Sequence, residues 1–359
     1  MRIIDGIKHS VAELYTGYFA SVMATGIISI ALNLTHHDLF SKTMFIIAVS
    51  LYLLLTMAYV LRAVWFPRNV WRDLTDAAKV FGYFTFVAAT DVIGTCFVLN
   101  RFTKLPVWLG IVGIVSWMIL TYFILMVLIF YNREPVQRVM NGGWLVTTVG
   151  VESLAALGSA MADRFPVSSG GLLLVSTAFW GLGIVIYLIF IALIMYRFFF
   201  FPVSTADLSP PYWINMGAMA ITTLAGSRLA LYPHKSTFLL MIKPFIEGFT
   251  FLLWAWGSWW IPLLLLIGIW KLFVLRDRLR YEPALWSIVF PLGMYTAATD
   301  TMSKVSGLQA VHRIVPYCLA VAVASWILVG IAFFVSLLRS QFLRFAWKLL
   351  RQRLMGLRW

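Results

Sequence analysis

The stretch VWLGIVGIVSWMILTYFILMVLIFY, Val107 to Tyr131, decides the fold class of this 359-residue chain. It contains no charged residue, and about 20 apolar residues in a helix are enough to span a hydrocarbon core about 30 Å thick. The whole composition agrees with this run, since 62% of the residues are hydrophobic, 12% are charged and the mean hydropathy is +0.89. A soluble domain has about a quarter charged residues. The chain is therefore predicted to be an integral membrane protein.

Ten apolar stretches emerge when windows of about 19 residues are compared along the sequence. Short loops join most of them, which predicts an all-α polytopic membrane protein with ten transmembrane helices. We expect residues 1–338 to form one membrane domain. The predicted spans are Leu14–Leu34, Met44–Val64, Val80–Asn100, Val107–Tyr131, Gly142–Met161, Gly171–Phe198, Tyr212–Leu231, Phe245–Phe273, Leu285–Thr301 and Val315–Leu338.

The positions of Lys and Arg predict the orientation of the spans. With the N-terminus in the cytoplasm, 19 of these residues lie on the cytoplasmic side, 8 lie on the opposite side, and Arg228 lies within a span. Cytoplasmic loops carry an excess of Lys and Arg, so both termini are predicted to be cytoplasmic in a protein of the cytoplasmic membrane. The same rule explains the net charge of +14 without a nucleic-acid partner.

Residues 339–359 form a basic tail in which Lys and Arg are interleaved with aromatic and leucine residues. This pattern predicts an amphipathic cytoplasmic helix that rests on anionic membrane lipid. A regulatory or partner-binding tail is the alternative. The interleaved residues are Phe342, Arg344, Phe345, Trp347, Lys348, Leu350, Arg351, Arg353, Leu354 and Arg358.

Polar residues concentrate in the odd-numbered spans, whereas Leu, Ile, Val, Phe and Trp dominate the even-numbered ones. This difference predicts five inner helices that line a central pathway and five apolar helices that face lipid. Packing of helices against one another is the alternative role for small and hydroxyl residues. The candidates for lining the pathway are Thr25, Thr90, Asn215, Thr222 and Thr299.

Four charged residues fall inside the odd-numbered predicted spans, namely Asp91, Glu152, Arg228 and Asp300. An ionised side chain at the bilayer centre costs at least about 2.5 to 3.5 kcal/mol, so function is the default interpretation of such residues. The three acids could be protonated proton carriers, groups that attract cations, or members of ion pairs. Arg228 could contact an anionic substrate or pair with one of the acids.

Short repeats link three of the odd-numbered spans. Gly17-Tyr18-Phe19 and Gly82-Tyr83-Phe84 are 65 positions apart, and each is followed by Ala-Thr at the same distance. The string Ala-Ala-Thr-Asp occurs at 88–91 and again at 297–300. We expect these matches to lie at similar depths in repeated helical hairpins, an architecture common in transport proteins.

Enzyme motifs are absent from the sequence. It contains no His-Glu-x-x-His zinc motif, no Gly-x-Ser-x-Gly elbow and no Walker loop, and its five histidines do not form a metal set. We therefore predict a transport protein for a small solute, without a cofactor or a metal site.

Three segments carry a family resemblance. TGYFASVMATGI at Thr16–Ile27, PPYWINMGAMAITTLA at Pro210–Ala225 and FPLGM at Phe290–Met294 resemble the tellurite-resistance/dicarboxylate transporter family. That family includes bacterial tellurite-resistance proteins, yeast malate permeases and sulfite exporters, and plant slow-type anion channels. The resemblance implies five helical hairpins around a quasi-fivefold axis, and protomers assembled as homotrimers.

The resemblance also implies a role for Phe290. Channel members of the family carry a Phe before a Pro in the ninth span that plugs the pore, and Phe290-Pro291 matches that position. The alternative is that Phe290 packs between helices.

Two departures from the channel pattern shape the expected function. Only the ninth span among the odd-numbered ones has an interior proline, so any bending of the others depends on glycines. Carboxyl groups in three inner spans repel an anion unless they are protonated or paired. We therefore expect proton-coupled transport of malate or another four-carbon dicarboxylate. The alternatives are a gated inorganic-anion channel and an exporter related to sulfite or tellurite.

Overall fold

The protein is described from a computed structural model that covers residues 8, 10–162, 164–165, 169–204, 207–232, 237–276 and 280–356, with side chains as far as 338. Its regular secondary structure in these residues is helical. Ten long helices follow the order of the predicted spans. They are α1 Ala20–Leu34, α2 Asp38–Trp65, α3 Phe84–Leu99, α4 Lys104–Met126, α5 Val146–Ala162, α6 Ser169–Phe200, α7 Ile214–Leu231, α8 Thr237–Ile269, α9 Trp286–Ser306 and α10 Val315–Gly356.

Shorter elements connect the long helices. A single 3₁₀ turn leads directly into each of α3, α5, α7 and α9, and a π turn ends α4 and α8. Three short helices lie in the loops. The 3₁₀ turns are Val80–Tyr83, Gly142–Leu145, Pro210–Trp213 and Pro283–Leu285, the π turns are Val127–Tyr131 and Trp270–Val274, and the short helices are Pro67–Leu74, Val136–Val139 and Gln309–Arg313.

Seven helical segments of the described chain are long and apolar enough to cross a membrane. They contain α2, α3, α4, α5, α6, α8 and α10. Helix α1 is apolar but has only 15 residues, while α7 and α9 contain many of the polar residues identified above. The chain is thus an all-α, multi-pass membrane protein.

The long helices form two layers. The inner helices α1, α3, α5, α7 and α9 contact one another in chain order, and α9 returns to α1, so they form a closed ring. The peripheral helices α2, α4, α6, α8 and α10 each pack against the inner helix that precedes them. In the most apolar stretch of α5, 94% of the residues are buried, against 6% in α2. The polar helices are therefore the buried ones.

Close approach of the inner helices depends on glycine. A Cβ atom built on Gly217 of α7 would lie 2.7 Å from Cγ of Pro291 in α9. Small residues allow helix backbones to approach closely in lipid, where hydrophobic burial gives little drive for association. The contact that Gly217 makes is thus a packing contact between neighbouring members of the ring.

A buried arginine joins α2 to the segment before α1. Arg62 is 2% exposed, and its guanidinium donates to the backbone oxygen of Ala12 at 3.3 Å and to Oδ2 of Asp73 at 2.5 Å. Lys79 Nζ lies 3.7 Å from Oδ1 of the same aspartate. The guanidinium thus joins the end of a peripheral helix to the start of its inner partner.

The same arrangement recurs in two other helix pairs. Arg197 near the end of α6 donates to the backbone oxygen of Gln137 before α5 at 3.1 Å, and also bonds to Asp207. Partial burial acts to raise the pKa of Asp207, but hydrogen bonds from Ser204 and the Arg197 guanidinium lower it overall. Lys271 after α8 donates to the backbone oxygen of Leu208 before α7 at 2.9 Å. Three helix pairs are therefore fastened at the ends predicted to be cytoplasmic.

We expect Arg62→Ala to lower the free energy of unfolding by about 3 kcal/mol or more, because it leaves the Asp73 carboxylate buried without its arginine. Thermal unfolding in detergent measures this. Arg138→Ala is the matched control, since its pair with Glu134 at 3.2 Å is exposed on both sides and such pairs contribute little. Equal midpoints for the two variants would contradict a stabilising role for Arg62.

Candidate functional site

A small cavity lies between the five inner helices. Its volume is about 10 Å³, close to the minimum that holds one water molecule. All five inner helices contribute side chains, so the cavity marks the axis of the ring. Its lining residues are Ile27, Ile30, Asp91, Val92, Thr95, Ser153, Ala156, Ile221, Leu224 and Met294.

A much larger cavity opens at the C-terminal ends of the same helices. We call it the vestibule; its volume is about 390 Å³. Three of its lining residues are cationic, and the described lining contains no carboxylate. The predicted topology places this end of the ring outside the cell. The lining residues are Leu34, Val98, Leu99, Ser159, Ala160, Arg164, Arg228, Leu231, Tyr232, Thr301 and Lys304.

The two cavities lie on one continuous axis. Each inner helix has one residue in the axial cavity and another in the vestibule, seven positions later. Seven residues are close to two turns of an α-helix, so both residues of each pair lie on the same face. The five pairs are Ile27 and Leu34, Val92 and Leu99, Ser153 and Ala160, Ile221 and Arg228, and Met294 and Thr301.

Phe290 belongs to the next layer of this axis. One turn before the cavity residues, the same helix faces carry Met23, Ala88, Val149, Gly217 and Phe290. Phe290 is 1% exposed and has the only aromatic ring of this layer, opposite four smaller residues. The structure therefore places Phe290 on the face of α9 that also carries Met294.

Asp91 lies at the edge of the axial cavity. Its side chain is fully buried, and its Oδ2 accepts a hydrogen bond from Ser153 Oγ at 2.6 Å. Oδ1 faces Gly113 of α4 so closely that a methyl group there would collide with it. Among the described residues, Oδ1 has no hydrogen-bond partner. A fully buried carboxyl group with one described hydroxyl partner thus lies between the axial cavity and α4.

Asp300 lies in a different setting, near the vestibule. Its Oδ2 accepts from Lys304 Nζ at 2.6 Å, and its Oδ1 lies 3.8 Å from Nδ1 of His312. Asp300 follows Met294 by six residues, which is about 9 Å along a helix. The expectation that both Ala-Ala-Thr-Asp strings lie at similar depth was wrong, because Asp91 is level with Met294 and Asp300 is beyond it.

Glu152 points away from the axis. It is fully buried on α5, next in sequence to Ser153, but its carboxyl group packs against Gly183 of α6, where a methyl group would collide with it. Neither carboxyl oxygen has a hydrogen-bond partner within the described part of the chain. Glu152 is not among the residues that line the axial cavity.

We expect Glu152→Gln to transport at close to the wild-type rate, because the amide has the same size and a neutral side chain suits this buried site. Initial rates of uptake into proteoliposomes measure this. Glu152→Leu removes the polar group and should also be tolerated. Loss of transport in a well-folded Glu152→Gln protein would show that Glu152 takes part in the transport pathway.

Arg228 lines the vestibule from the last turn of α7. Its Nη1 donates to the backbone oxygen of Ala156 on α5 at 3.4 Å. Asp300, one of the acids considered as its partner, is paired with Lys304 instead. The position of Arg228 thus suits contact with a solute that enters the ring.

The five other candidates for lining the pathway lie at the seams between the two layers. Each contacts an indole or phenol group of a peripheral helix, and none belongs to the linings of the two cavities described above. Trp326 Nε1 donates to Thr25 Oγ1 at 3.0 Å, Tyr52 Oη lies 2.9 Å from Thr90 Oγ1, Trp180 Nε1 donates to the backbone oxygen of Thr222 at 3.0 Å, Tyr187 Oη donates to Asn215 Oδ1 at 2.8 Å, and Trp254 Nε1 donates to Thr299 Oγ1 at 3.1 Å.

Sequence reasoning missed three residues of the site. Ser153 was not identified as a candidate because it follows Glu152, which drew attention as a charged residue. Its hydroxyl group donates a hydrogen bond to the buried carboxyl group of Asp91. Arg164 and Lys304 were counted only as loop charges. The spacing of Lys304, four residues after Asp300, was a signal for their ion pair.

The fold and the site together define a class of protein: a multi-pass helical membrane protein whose inner ring encloses one axis with a cationic mouth, as in a transporter or channel for anions. Residues 13–334 match the family described as voltage-dependent anion channel (SLAC1). The chain belongs to that family, which confirms the recognition made from the three sequence segments. The family description and the names of the relatives below point to a transporter or channel.

Known relatives agree with this assignment. The chain is 26% identical to an uncharacterized transporter of Methanocaldococcus jannaschii over 83% of this chain and 87% of the relative. It is 38% identical to an uncharacterized membrane protein of Mycobacterium tuberculosis over 39% of this chain and 71% of the relative. It is 22% identical to a sulfite efflux pump of Trichophyton rubrum over 82% of this chain and 83% of the relative.

Proposed function

We propose that the protein transports small anions along the axis of the inner ring, with malate or another four-carbon dicarboxylate as the substrate. The observation that carries this proposal is the continuous face that each inner helix presents to the axial cavity and the vestibule. Cationic residues at the mouth attract anions, and a ring of buried helices isolates them from lipid. Membership of the anion channel family supports the same solute charge.

Proton coupling through Asp91 is part of the proposal. An ionised carboxylate in a fully buried site needs a cation or several donors, and the described partner of Asp91 is a single hydroxyl group. Asp91 is therefore neutral at rest and can release its proton when the axis hydrates. Its place in the axial lining favours it over Glu152, which faces α6, and over Asp300, which is paired with Lys304.

Phe290 is proposed as the gate. Its ring lies one turn from the axial cavity, on the side predicted to be cytoplasmic, and the cavity beside it is too small for an anion. The closed axis therefore represents an occluded state, and movement of the Phe290 phenyl group opens it.

The proposed arrangement in the membrane is ten crossings as five hairpins, with both termini in the cytoplasm. The ring contacts support it, because α1, α7 and α9 are enclosed by helices that are long enough to cross. The excess of Lys and Arg on one side supports the proposed orientation.

The tail at 339–359 is proposed to rest on lipid as an amphipathic helix. Helix α10 extends to Gly356, and the side chains of the tail lie outside the described residues. A homotrimer remains a proposal from the family resemblance.

Two other functions have a specific observation in their favour. A relative is named a sulfite efflux pump, which favours sulfite as a substrate, and the family description favours a gated inorganic-anion channel. Reconstitution into liposomes separates the possibilities. Saturable uptake of malate driven by a pH gradient supports the proposal, whereas unitary ohmic currents support a channel. Transport of sulfite but not of malate would assign the protein to sulfite export.

A further inference from the structure

A further cavity lies on the outer face of the protein, between two peripheral helices. Helices α2 and α4 both pack against α3, and a groove with a volume of about 370 Å³ separates them. We call it the α2–α4 groove. In the part of the chain that the structure describes, its lining carries no charged residue. The lining includes Val60 and Ala63 of α2, Ser116 and Ile119 of α4, Phe19 before α1 and Phe86 of α3.

The surface of the α2–α4 groove is apolar. Val60 is 57% exposed and Ile119 is 64% exposed, so both walls present apolar side chains outward. Thr56 Oγ1 and Tyr59 Oη each donate to a backbone oxygen within the protein, at 2.7 and 2.6 Å. These two hydroxyl groups of the lining are therefore already used. An exposed apolar groove of this kind marks a site for lipid or for another protein surface.

The α2–α4 groove has the depth of one membrane leaflet. Nine residues separate Thr56 in its lining from Trp65 at the end of α2, which is about 14 Å along a helix. Half of a hydrocarbon core is about 15 Å thick. Trp65 is 40% exposed and Trp71 is 56% exposed, and tryptophan concentrates at the membrane–water interface. The groove therefore lies in the leaflet on the side predicted to be cytoplasmic, and its length matches one acyl chain.

A short helix joins the two walls at this end of the groove. The helix Pro67–Leu74 follows α2 directly, and its Trp71 ring meets the ring of Phe123 on α4 edge-on, with centroids 6.0 Å apart. Phe123 lies four residues after Ile119 of the lining, about one turn further along the same face of α4. The short helix therefore lies where the groove meets the membrane surface.

Two exposed arginines of the short helix supply positive charge at this level. Arg68 is three residues before Trp71 and four before Arg72, so Arg68 shares a helix face with both. The next two acids along the chain, Asp73 and Asp76, pair with other cations, since Asp73 binds Arg62 and Asp76 lies 3.3 Å from a lysine. Exposed basic residues at the membrane surface attract anionic headgroups.

We propose that the α2–α4 groove binds an anionic phospholipid, with an acyl chain between α2 and α4 and the headgroup on Arg68 and Arg72. The apolar lining suits hydrocarbon, and the arginines at one end suit a negatively charged headgroup. An apolar helix of a second copy of this chain would also cover the groove, but it would give the two arginines no partner. The phospholipid therefore accounts for more of the site. This site is separate from the axis of the ring and does not depend on the proposed function.

Native mass spectrometry of the purified full-length protein in detergent tests the headgroup end of the site without requiring transport. Phosphatidylglycerol is the anionic probe, and phosphatidylcholine with the same acyl chains is the neutral probe. We expect Arg68→Gln and Arg72→Gln each to weaken phosphatidylglycerol binding about fivefold, the effect of one basic residue near an anionic surface, and to leave phosphatidylcholine binding unchanged. Arg276→Gln is the matched control, because Arg276 is an exposed cation on the same predicted side, after α8.

Ala63→Phe and Ser116→Phe test the groove itself. Each variant adds a phenyl ring where the acyl chain lies, so both should weaken binding of the two lipids about tenfold, the effect of displacing about two buried methylene groups. Val115→Phe is the matched control, because Val115 is 50% exposed beside Ser116 but is outside the lining. Thermal unfolding checks that the three phenylalanine variants are folded.

Three results would overturn the proposal. Equal affinity of the wild-type protein for the two lipids removes the role of Arg68 and Arg72 in binding the headgroup. Wild-type lipid affinity in folded Ala63→Phe and Ser116→Phe proteins shows that the acyl chain lies elsewhere. The same spectra give the number of assembled copies. If these two variants dissociate a wild-type oligomer without weakening phosphatidylglycerol binding, the groove is a contact between copies of the chain.

Discussion

Phe290→Ala is expected to raise the anion flux of the reconstituted protein about tenfold or more. Replacing the phenyl ring by a methyl group leaves the layer of Met23, Ala88, Val149 and Gly217 without its only aromatic member. An aromatic ring at a constriction blocks ions sterically and by dewetting, and each 1.4 kcal/mol removed from a barrier is a factor of ten in rate. Uptake and current measurements on proteoliposomes of equal protein content give the comparison.

A control must separate opening of the axis from loosening of the core. Truncating a buried Phe to Ala costs about 3–5 kcal/mol of stability, so Phe290→Ala is also expected to melt at a lower temperature. Phe81→Ala serves as the match, because Phe81 is 1% exposed and stacks on Trp144 at 4.4 Å but lies before α3, away from the axial layer. It should lose stability without gaining flux. Equal flux in folded Phe290→Ala and wild-type proteins would assign Phe290 to packing.

The membrane class and the inner layer could be predicted from the sequence because they depend on composition. Charge is costly in lipid, so the helices that carry Asp91, Glu152 and Arg228 had to lie inside. The structure agrees, since the most apolar part of α5 is 94% buried. Phe290 could likewise be identified from a local motif, because it directly precedes Pro291. It lies four residues, about one helical turn, before Met294.

The direction in which each inner side chain points could not be predicted in the same way. A helix that is buried on all sides has no polar stripe to mark one face, and nearly every residue of α5 and α7 is buried. Thr25 and Thr90 therefore looked like pathway residues, although they bond to Trp326 and Tyr52 at the seams. The partners of such residues come from other helices and depend on the packing of the whole bundle.

The vestibule was also beyond sequence analysis, for a related reason. Arg164 and Lys304 occur at helix ends, where positive charge is ordinary and gives no sign of a site. Their significance depends on the closure of the ring, which brings the ends of α5, α7 and α9 around one cavity. The same closure shows that Asp91 and Asp300 belong to different levels of the axis.

Asp91→Asn is expected to abolish uptake driven by a pH gradient while leaving exchange of substrate across the membrane intact. The amide cannot carry a proton on and off, but it keeps the size of the carboxyl group and an oxygen that accepts from Ser153. Exchange needs no net movement of protons, so it should survive. Folding should be preserved, because a neutral amide replaces a buried group whose described partner is one hydroxyl.

The measurement uses one set of proteoliposomes in two modes. Labelled malate uptake is recorded with an inward proton gradient, and then without a gradient against unlabelled malate inside. Glu152→Gln is the matched control, since it makes the same chemical change in a fully buried acid that faces Gly183 rather than the axis. It should retain both modes. Equal loss of both transport modes in Asp91→Asn would show a structural role for Asp91. Wild-type pH-driven uptake by Asp91→Asn would exclude Asp91 as the proton site. A gated anion channel would then account best for an axis that carries no proton-exchanging group.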